Sequence, residues 1–588
     1  MVATRIPSAK SGSAVFGGEL SRRGCPSRQL MVRRACESDK LYSPSLEELK
    51  SEQHIDMEKS GLRYLPEETQ MRILGNKKSN KFEKIKAAKC GSTMWTEVED
   101  LAKMLRSGDV AWEDLNLDDV DIRMKWAGLF HRAKRTPGKF MMRLKVPNGV
   151  LDAQQLRSLA TCIEPYGADG CGDVTTRANI QLRGIPLDDA DRVIGTLRDV
   201  GLSSLMSGMD NIRNITGSPI AGIDPEELID SRPLVQELND VITNHGKGNP
   251  ELTNLPRKIN IGISTSRDDF AHCHINDVGL KAVVGPDGQV GFNVELGGYF
   301  SIKRNTMSIP GDTFIKPDQV TSYCKALMEV FRDHGERTDR QKARLMWLVE
   351  AIGVTEFRRM VAQRMGLDDL PGEVHAHYDV EFKRRDVLGI HPQKQEGKYW
   401  VGACIPAGRL VAKDFDDLAN VCEKYGDGTV RITVEQNVVI PNVNESDIEA
   451  LQSEGIFKKF EIAPGNLMSG LVSCTGAQFC GLALIETKNR AIHIVQELEK
   501  QLEIPSLVRI HWTGCPNSCG QAQVGDIGLM GAPAKKDGKA VEGVRIFLGG
   551  EIGENPKLAT EFEKSIPVED AVPVLSRILV DHFGAITK

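Results

Sequence analysis

Two close pairs of cysteines near the C-terminal end of the chain most constrain what it can fold into. Cys474 and Cys480 are separated by five residues in C-T-G-A-Q-F-C, and Cys515 and Cys519 by three residues in C-P-N-S-C. Small and turn-forming residues surround both pairs, which indicates tight loops that can approach an inorganic core closely. Four thiolates from two such loops fit a four-iron cluster, in which each iron takes one cysteine sulfur.

The spacing leaves two other uses of these cysteines open. Structural zinc sites usually take cysteines two to four residues apart, so a five-residue separation fits zinc less well. The cysteines could also form disulfides or be plain structural residues. However, 13 cysteines in 588 residues do not resemble a small disulfide-rich scaffold, and such scattered cysteines favour a reducing compartment.

Composition limits the class of protein further. A chain of 588 residues exceeds the length over which one hydrophobic core keeps growing, so we expect several domains. No apolar run approaches the ~18 residues of a membrane helix, so we expect no membrane insertion. The first 36 residues hold seven Lys or Arg and one acidic residue, Glu19, which predicts an organelle transit peptide or, alternatively, a disordered basic tail. Without them the net charge is −6 − 6 = −12, which excludes a general nucleic-acid binder.

Polar side chains with a common spacing mark a segment of the first half. The pattern from about Thr175 to Ile185 predicts a strand on which four polar residues share one face, because alternate strand residues point the same way. These residues are Arg177, Asn179, Gln181 and Arg183. Such a face is either a solvated surface or a site for a polyanion.

Three further segments supply cationic or amide donors. Phe140 to Gly149 reads as a strand that ends in a Pro-Asn-Gly turn and carries Arg143. The segment L-M-S-G-M-D-N-I-R-N carries Arg213, and L-P-R-K-I-N-I carries Arg257, Lys258 and Asn260. Donors of this kind suit a small oxyanion if they converge. A separate basic run from Lys77 to Lys89 is either a solvated helix face or a docking surface for an acidic partner.

The chain contains an internal repeat. V-P-N-G-V-L-D-A from Val146 resembles I-P-A-G-R-L-V-A from Ile405 at an offset of 259 residues, and L-M-S-G occurs at both Leu205 and Leu467. A period this long indicates duplicated domains. Because L-M-S-G precedes Arg213 in one copy and Cys474 in the other, we expect cations and cysteines to face one central site. We also expect the strand–helix–strand units of the two copies to join in one mixed sheet.

The motifs, taken in order, resemble the sirohaem-containing nitrite and sulfite reductases. The resemblance lies in C-T-G-x-x-F-C, then Glu486 to Lys488 as E-T-K, then C-P-N-S-C, and it runs from about Leu46 to the C-terminus. It implies an α+β, duplicated fold with ferredoxin-like half-domains around a central sirohaem and [4Fe–4S] site. It also implies that Cys474, Cys480, Cys515 and Cys519 bind one cluster and that Cys519 bridges it to one sirohaem.

The resemblance assigns roles to the polar residues as well. The expected catalytic set is Arg143, Arg213, Lys258 and Asn260, and the expected sirohaem-binding set is Arg177, Asn179, Gln181, Arg183 and Arg257 together with Cys519. The implied activity is the six-electron reduction of nitrite to ammonium in nitrate assimilation. Sulfite reductases of the family typically carry a second lysine where this chain has Asn260, and the less charged pocket suits a monoanion.

The electron donor is expected to be another protein, since no G-x-G-x-x-G motif follows a predicted strand. The plant and algal type of the family uses reduced ferredoxin, which is strongly acidic, and the N-terminal composition agrees with the plastid stroma. The alternatives are a ferredoxin-dependent sulfite reductase and a non-catalytic iron–sulfur regulator. Because the duplication supplies a symmetry that other proteins obtain by dimerising, we expect a monomer.

Seven segments follow from these patterns. They are a transit peptide at 1–36, an N-terminal helical extension at 37–135, half-domains at 136–195 and 396–450, an anion- and sirohaem-binding domain at 196–335, a helical connector at 336–395 and a cluster- and sirohaem-binding domain at 451–588.

Overall fold

The computed structural model describes residues 45–52, 54–266, 268–285, 287–375, 385–553 and 555–588. The predicted transit peptide at 1–36 lies outside these residues. The α-helices are α1 (Leu46–Glu52), α2 (Glu67–Gly75), α3 (Lys81–Ala88), α4 (Met94–Ser107), α5 (Leu117–Asp121), α6 (Ala153–Ile163), α7 (Ala190–Asp199), α8 (Ser231–Thr243), α9 (Val320–His334), α10 (Leu345–Ile352), α11 (Val354–Arg364), α12 (Ala412–Tyr425), α13 (Ile448–Gln452), α14 (Lys488–Gln501) and α15 (Ala571–Phe583). Within the described residues, none of them is long and apolar enough to cross a bilayer.

The strands form four main sheets and two short two-stranded pairs. They are β1 (Leu129–Arg132), β2 (Thr136–Arg143), β3 (Val150–Asp152), β4 (Gly172–Val174), β5 (Ile180–Pro186), β6 (Ile261–Ser264), β7 (Val278–Val284), β8 (Val290–Leu296), β9 (Tyr299–Phe300), β10 (Asn305–Thr306), β11 (Ile309–Ile315), β12 (Gly389–Pro392), β13 (Lys398–Ala403), β14 (Arg409–Leu410), β15 (Thr429–Ile432), β16 (Val438–Asn444), β17 (Leu471–Ser473), β18 (Leu502–Glu503), β19 (Ile510–Thr513), β20 (Ile527–Lys536), β21 (Lys539–Leu548), β22 (Thr560–Pro567) and β23 (Ile586–Thr587).

The described part of the N-terminal extension is helical from Leu46 to Ala127 with loops between the helices, and its last residues form β1, which pairs with β2. In α4 the residues Met94, Val98 and Ala102 recur every four positions and are fully buried, so one face of the helix packs on the core. The basic run differs from the prediction at one position. Lys77 is exposed, but Lys86 on α3 is fully buried between carboxylates, so the run is not one continuous solvated or docking face.

Two five-stranded sheets exchange a strand with each other. Their orders are β1-β2-β5-β4-β14 and β12-β13-β16-β15-β3, so β14 of the second copy completes the first sheet and β3 of the first copy completes the second. The expectation of one joined sheet is therefore wrong. The exchange follows from the turns: a Cβ on Gly149 would lie 2.2 Å from the Ile432 carbonyl oxygen, and one on Gly408 would lie 2.8 Å from that of Val174. Only glycine, which has no Cβ, lets the backbone of each copy cross the sheet of the other copy this closely.

The other two main sheets repeat one pattern and carry the site. In both, a parallel pair (β6 with β7, β19 with β20) continues into an antiparallel strand. Each sheet is extended by one more parallel pairing. In the first copy Ile212 bridges to Ile259 just before β6, and in the second copy β17 pairs with β19. Arg213 and Cys474 directly follow these equivalent pairings, so the duplicated α+β fold brings the cationic segment and the first cysteine loop to corresponding positions.

Candidate functional site

One pocket lies between the two copies, and about 1280 Å³ in it and in the solvent at its mouth is free of protein atoms. Of the predicted site residues, twelve line it: Arg143, Arg177, Asn179, Gln181, Arg183, Arg213, Lys258, Asn260, Cys474, Cys480, Cys515 and Cys519. The pocket therefore unites cations of the first copy with cysteines of the second.

The four cysteines share this pocket without converging on one point. Among the described residues, no three His, Cys, Asp or Glu side chains are placed to hold a single metal ion, and the described cysteines are not joined in disulfides. Thiols spread around a common space fit a cluster, in which each sulfur meets a different iron, better than one tetrahedral zinc ion.

Local hydrogen bonds prepare the cysteine loops for ligation. The Gly514 backbone N–H donates to Cys474 Sγ at 3.2 Å, and Asn517 Nδ2 donates to Cys515 Sγ at 3.6 Å. Burial raises the pKa of the Cys474 thiol, and it raises that of Cys515 to about 11. Both thiols therefore stay protonated until a metal displaces their protons, while the donors stabilise the thiolates that result.

The predicted strand from Thr175 to Ile185 is interrupted. Residues 175–179 form a turn between β4 and β5, closed by hydrogen bonds from Ala178 N to Thr175 O and from Thr175 N to Asn179 O, both 3.0 Å long. Ala178 has a left-handed φ of 46°, which ends the extended conformation. The prediction that all four polar residues share one strand face is therefore wrong, although the turn and β5 still point them to the pocket.

These polar residues differ in their partners. Asn179 is 3% exposed and donates to the Leu144 carbonyl at 2.9 Å, which anchors the turn. Arg177 donates to Asn276 Oδ1 at 2.8 Å and keeps its other N–H groups for the pocket. Arg183 contacts the hydroxyl of Thr475 next to the first cysteine, so the first copy touches the cluster loop directly.

Positive charge dominates the pocket wall. Eight basic side chains line it against a single carboxylate, Asp173. The basic residues are Arg132, Arg143, Arg177, Arg183, Arg213, Lys258, Arg344 and Lys488. Burial lowers the pKa of Arg143 to about 10. The pKa of Lys258 is held well below its usual range, mainly by burial and to a lesser extent by the nearby charges of Arg344 and Arg213. Cations that lack solvent and repel each other are stabilised by a bound anion.

Lys258 and Asn260 lie together at the start of β6. The Asn260 backbone N–H donates to Asp277 at 2.8 Å, while its side-chain Oδ1, in the part of the chain that the structure describes, has no hydrogen-bond partner. Arg257 is not brought to the pocket wall. Its guanidinium is 3.7 Å from Asp210, which lies behind the wall.

Three basic residues of the pocket wall were not predicted from the sequence. Arg132 lies on β1, Arg344 precedes α10, and Lys488 begins α14. Lys488 could have been found, because it closes the E-T-K motif, and Arg344 belongs to the arginine-rich connector. Nothing local in the sequence distinguishes Arg132, which only the antiparallel pairing of β1 with β2 brings beside the site.

The residues present fit both expected groups. Four thiols suit a [4Fe–4S] cluster, and the guanidinium groups of Arg177 and Arg183 suit the carboxylates of a sirohaem, since planar forks pair well with carboxylate oxygens. Further cations remain for a small anion.

Comparison with known proteins agrees with this site. The nitrite/sulfite reductase ferredoxin-like half domain matches residues 132–200 and 391–455, and the nitrite and sulphite reductase 4Fe-4S domain matches residues 208–368 and 465–583. Both families match twice, once in each copy of the internal repeat.

Individual relatives match over most of their length. The chain is 48% identical over 516 residues to "Ferredoxin--nitrite reductase, chloroplastic" of Zea mays, with 87% of this chain and 90% of the relative covered. It is 48% identical to "Ferredoxin--nitrite reductase" of Leptolyngbya laminosa, with 87% and 98% covered. Among solved structures, the NirA protein of Mycobacterium tuberculosis superposes with a TM-score of 0.78 at 26% identity and covers 86% of this chain and 94% of its own.

Proposed function

The chain belongs to the nitrite and sulphite reductase family, and we propose that it reduces nitrite to ammonium with electrons from reduced ferredoxin. The reaction takes six electrons and eight protons and releases two waters. One observation carries the proposal: four cysteines of one copy and the cations of the other line the same pocket. When bound there, a sirohaem coupled to one [4Fe–4S] cluster supplies single-electron transfer and an iron site for the anion.

The residues on the two sides of the pocket have different roles. Cys474, Cys480, Cys515 and Cys519 would hold the cluster, and Cys519 would also help to hold the sirohaem. Arg177 and Arg183, with Gln181 beside them, bind carboxylates of the macrocycle and fix its orientation. We leave Arg257 out of this set because it does not line the pocket, and its guanidinium lies 3.7 Å from Asp210.

The catalytic set attracts the anion and compensates its charge. Arg143, Arg213 and Lys258 place positive charge where negative charge accumulates during reduction. Burial and the neighbouring arginines lower the pKa of Lys258, which makes it a better proton donor at Nζ than an exposed lysine. The Asn260 amide donates a hydrogen bond without adding charge.

Nitrite is favoured over sulfite by the charge of the site. A monoanion needs less compensation than sulfite, which is partly dianionic near neutral pH, and Asn260 is neutral. The maize and cyanobacterial relatives are named nitrite reductases as well. A ferredoxin-dependent sulfite reductase is the second candidate, favoured only by the family's shared architecture.

The donor reaches the cluster from one face of the second copy. In the loop after Cys480, Ala483 is buried and lines the pocket, while its neighbours Leu482 and Leu484 are 66% and 50% exposed. The Lys134 side chain lies within 3.4 Å of a Cβ built on Gly481 and is exposed. We call Lys134, Leu482 and Leu484 the donor face. Apolar contact at its centre and positive charge at its rim suit an acidic ferredoxin.

The location in the cell is proposed from two facts. Residues 1–36 have the composition of a transit peptide, and the maize and Arabidopsis thaliana relatives are named chloroplastic. We therefore place the protein in the plastid stroma, as a monomer. A fluorescent fusion to the full chain should enter plastids and one lacking residues 1–36 should not, and light scattering should give a single-chain mass.

A visible spectrum of the purified protein tests the proposed function. A nitrite reductase shows a macrocycle spectrum that shifts with nitrite, contains four cluster irons and one sirohaem iron per chain, and forms ammonium from nitrite with reduced ferredoxin. A regulator shows only the broad absorption of a cluster, and a zinc protein shows none. Faster turnover of sulfite than of nitrite, at equal concentration, favours the second candidate.

A further inference from the structure

A buried cluster of charges lies directly behind the cationic wall of the pocket. At its centre, the Asp210 carboxylate accepts hydrogen bonds from both terminal nitrogens of Arg340, at 2.9 and 2.8 Å. Lys86 Nζ lies 2.8 Å from the same carboxylate and 2.6 Å from Glu83. The side chains of Asp210, Lys86 and Glu83 are all fully buried. We call these residues the Asp210 cluster.

The cluster joins three distant parts of the chain. Lys86 comes from α3 of the N-terminal extension, Asp210 from the loop between α7 and α8, and Arg340 from the segment between α9 and α10. Removing one partner of a buried charge set is strongly destabilising, because the remaining charges lose compensation. Such a set therefore holds its backbone segments in one arrangement.

The loop that contains Asp210 also presents Arg213 to the pocket. Two Arg213 nitrogens donate to carbonyls of this loop, to Met209 O at 2.8 Å and to Asn211 O at 3.2 Å. In the described part of the chain, no carboxylate forms an ion pair with Arg213. The position of its guanidinium thus depends on the backbone on either side of Asp210.

The same backbone fixes the segment that carries Lys258. Leu255 N donates to the Asp210 carbonyl at 2.9 Å, and Arg213 N donates to the Ile259 carbonyl at 2.8 Å. The backbone of Asp210 therefore helps to position both Arg213 and Lys258. The loop also holds Met209 at a φ of 46°, a strained left-handed conformation that persists only because its surroundings enforce it.

We propose that Asp210 is a positioning residue for anion binding: through Arg340 and Lys86 it fixes the loop that presents Arg213 and the segment that presents Lys258. Its negative charge also opposes the burial and the neighbouring Arg143 that lower the pKa of Arg213. The N-terminal extension thereby contributes to the site through Lys86 without touching it. This inference rests on the proposed function, because nitrite is the anion bound.

The test uses the holoenzyme and compares two conservative variants. Arg340→Lys keeps the positive charge but loses the two-pronged contact with Asp210. Arg364→Lys is the matched control, since Arg364 contacts the buried Asp333 at 2.8 Å and does not line the pocket. For each variant the sirohaem content, the thermal unfolding temperature, the kcat and KM for nitrite, and the nitrite dissociation constant from the visible spectrum are measured.

We expect Arg340→Lys to raise the KM and the dissociation constant for nitrite about tenfold at full sirohaem content, because displacing a binding group by ~1 Å can cost up to ~10²-fold. Arg364→Lys should lower thermal stability comparably and leave both constants unchanged. Equal nitrite constants in Arg340→Lys and the wild type would overturn the inference, as would the same rise in both variants. Absence of nitrite turnover in the wild type would instead overturn the proposed function.

Asp210→Asn gives a second measure. If it folds, it should weaken nitrite binding at least as much as Arg340→Lys, and an unchanged constant would count against the inference. If it does not fold, Arg340→Lys decides alone.

Discussion

Asp173 of the first copy and Arg409 of the second are joined by a 2.6 Å ion pair across the exchanged strand β14. Arg183 reaches the same carboxylate at 2.6 Å, and Lys488 lies 3.7 Å away. Burial alone would raise the pKa of Asp173, but these three cations hold it well below its usual range. One carboxylate is thus shared by three cations at the base of the pocket and fastens the two copies together.

Asp173→Asn should be strongly destabilising. The substitution leaves three cations without their shared counter-charge, so the free energy of unfolding should fall by about 3 kcal/mol or more. Denaturant unfolding of the holoenzyme measures it. Asp417→Asn is the control, because its pair with Lys413 is exposed to solvent and contributes little to stability. A similar loss in both variants would show that Asp173 does not fasten the copies.

Lys258→Met separates binding from stability. Loss of one cation that faces the anion should lower kcat/KM for nitrite by about 10²-fold. The same change should raise the thermal unfolding temperature, because burial and neighbouring arginines disfavour the charged lysine and methionine removes that penalty. Steady-state kinetics and thermal unfolding of one preparation test both signs. Lower stability together with lower activity would mean that Lys258 also supports the fold.

The pH dependence of nitrite binding should follow from the same lysine. Its pKa is lowered, so the charged form that attracts nitrite is lost at a lower pH than for an exposed lysine, and affinity should fall as pH rises. The other charged groups that face it are Arg344, Arg213, Arg177 and Arg257. Spectroscopic titration from pH 6 to roughly 9 measures it. In Lys258→Met the slope should disappear, and a slope equal to that of the wild type would assign the effect to another group.

Local motifs allowed much of the site to be predicted from the sequence. Cys474 and Cys519 were placed at one site because the two loops belong to one motif and one copy of the repeat. The repeat also placed Arg213 opposite Cys474, since equivalent residues follow equivalent strand pairings.

Features that depend on tertiary contact were not predictable. The alternation of polar and apolar residues along 175–185 predicted that the polar side chains share one strand face. It could not show that Ala178 adopts a left-handed φ and interrupts the strand. The charge of Lys86 suggested that its side chain is exposed to solvent, whereas it is buried and its charge is compensated by Asp210 and Glu83. Arg257 carried the right charge for the pocket and is held by Asp210 instead. In each case a partner that is distant in sequence decides the outcome.

Asn260→Lys should shift the preference between substrates. A second ammonium beside Lys258 adds charge that a dianion compensates better than a monoanion, so the ratio of sulfite to nitrite turnover should rise about tenfold or more. Asn260→Asp is the opposite control and should weaken both anions. Rates with a small artificial donor at equal substrate concentrations give the ratio. An unchanged ratio in Asn260→Lys would remove Asn260 as the determinant of specificity.

Variants of the donor face should impair the reaction with ferredoxin alone. Lys134→Glu places a negative charge opposite an acidic partner, so the KM for ferredoxin should rise roughly tenfold, while activity with a small artificial donor stays the same. Activity of the wild type with ferredoxin should also fall steeply as salt screens the contact, and activity with the small donor should not. Lys77→Glu is the matched control, because Lys77 is exposed in the basic run of the N-terminal extension. If Lys77→Glu raised the KM for ferredoxin and Lys134→Glu did not, ferredoxin would dock on the extension rather than beside the loop of Cys480.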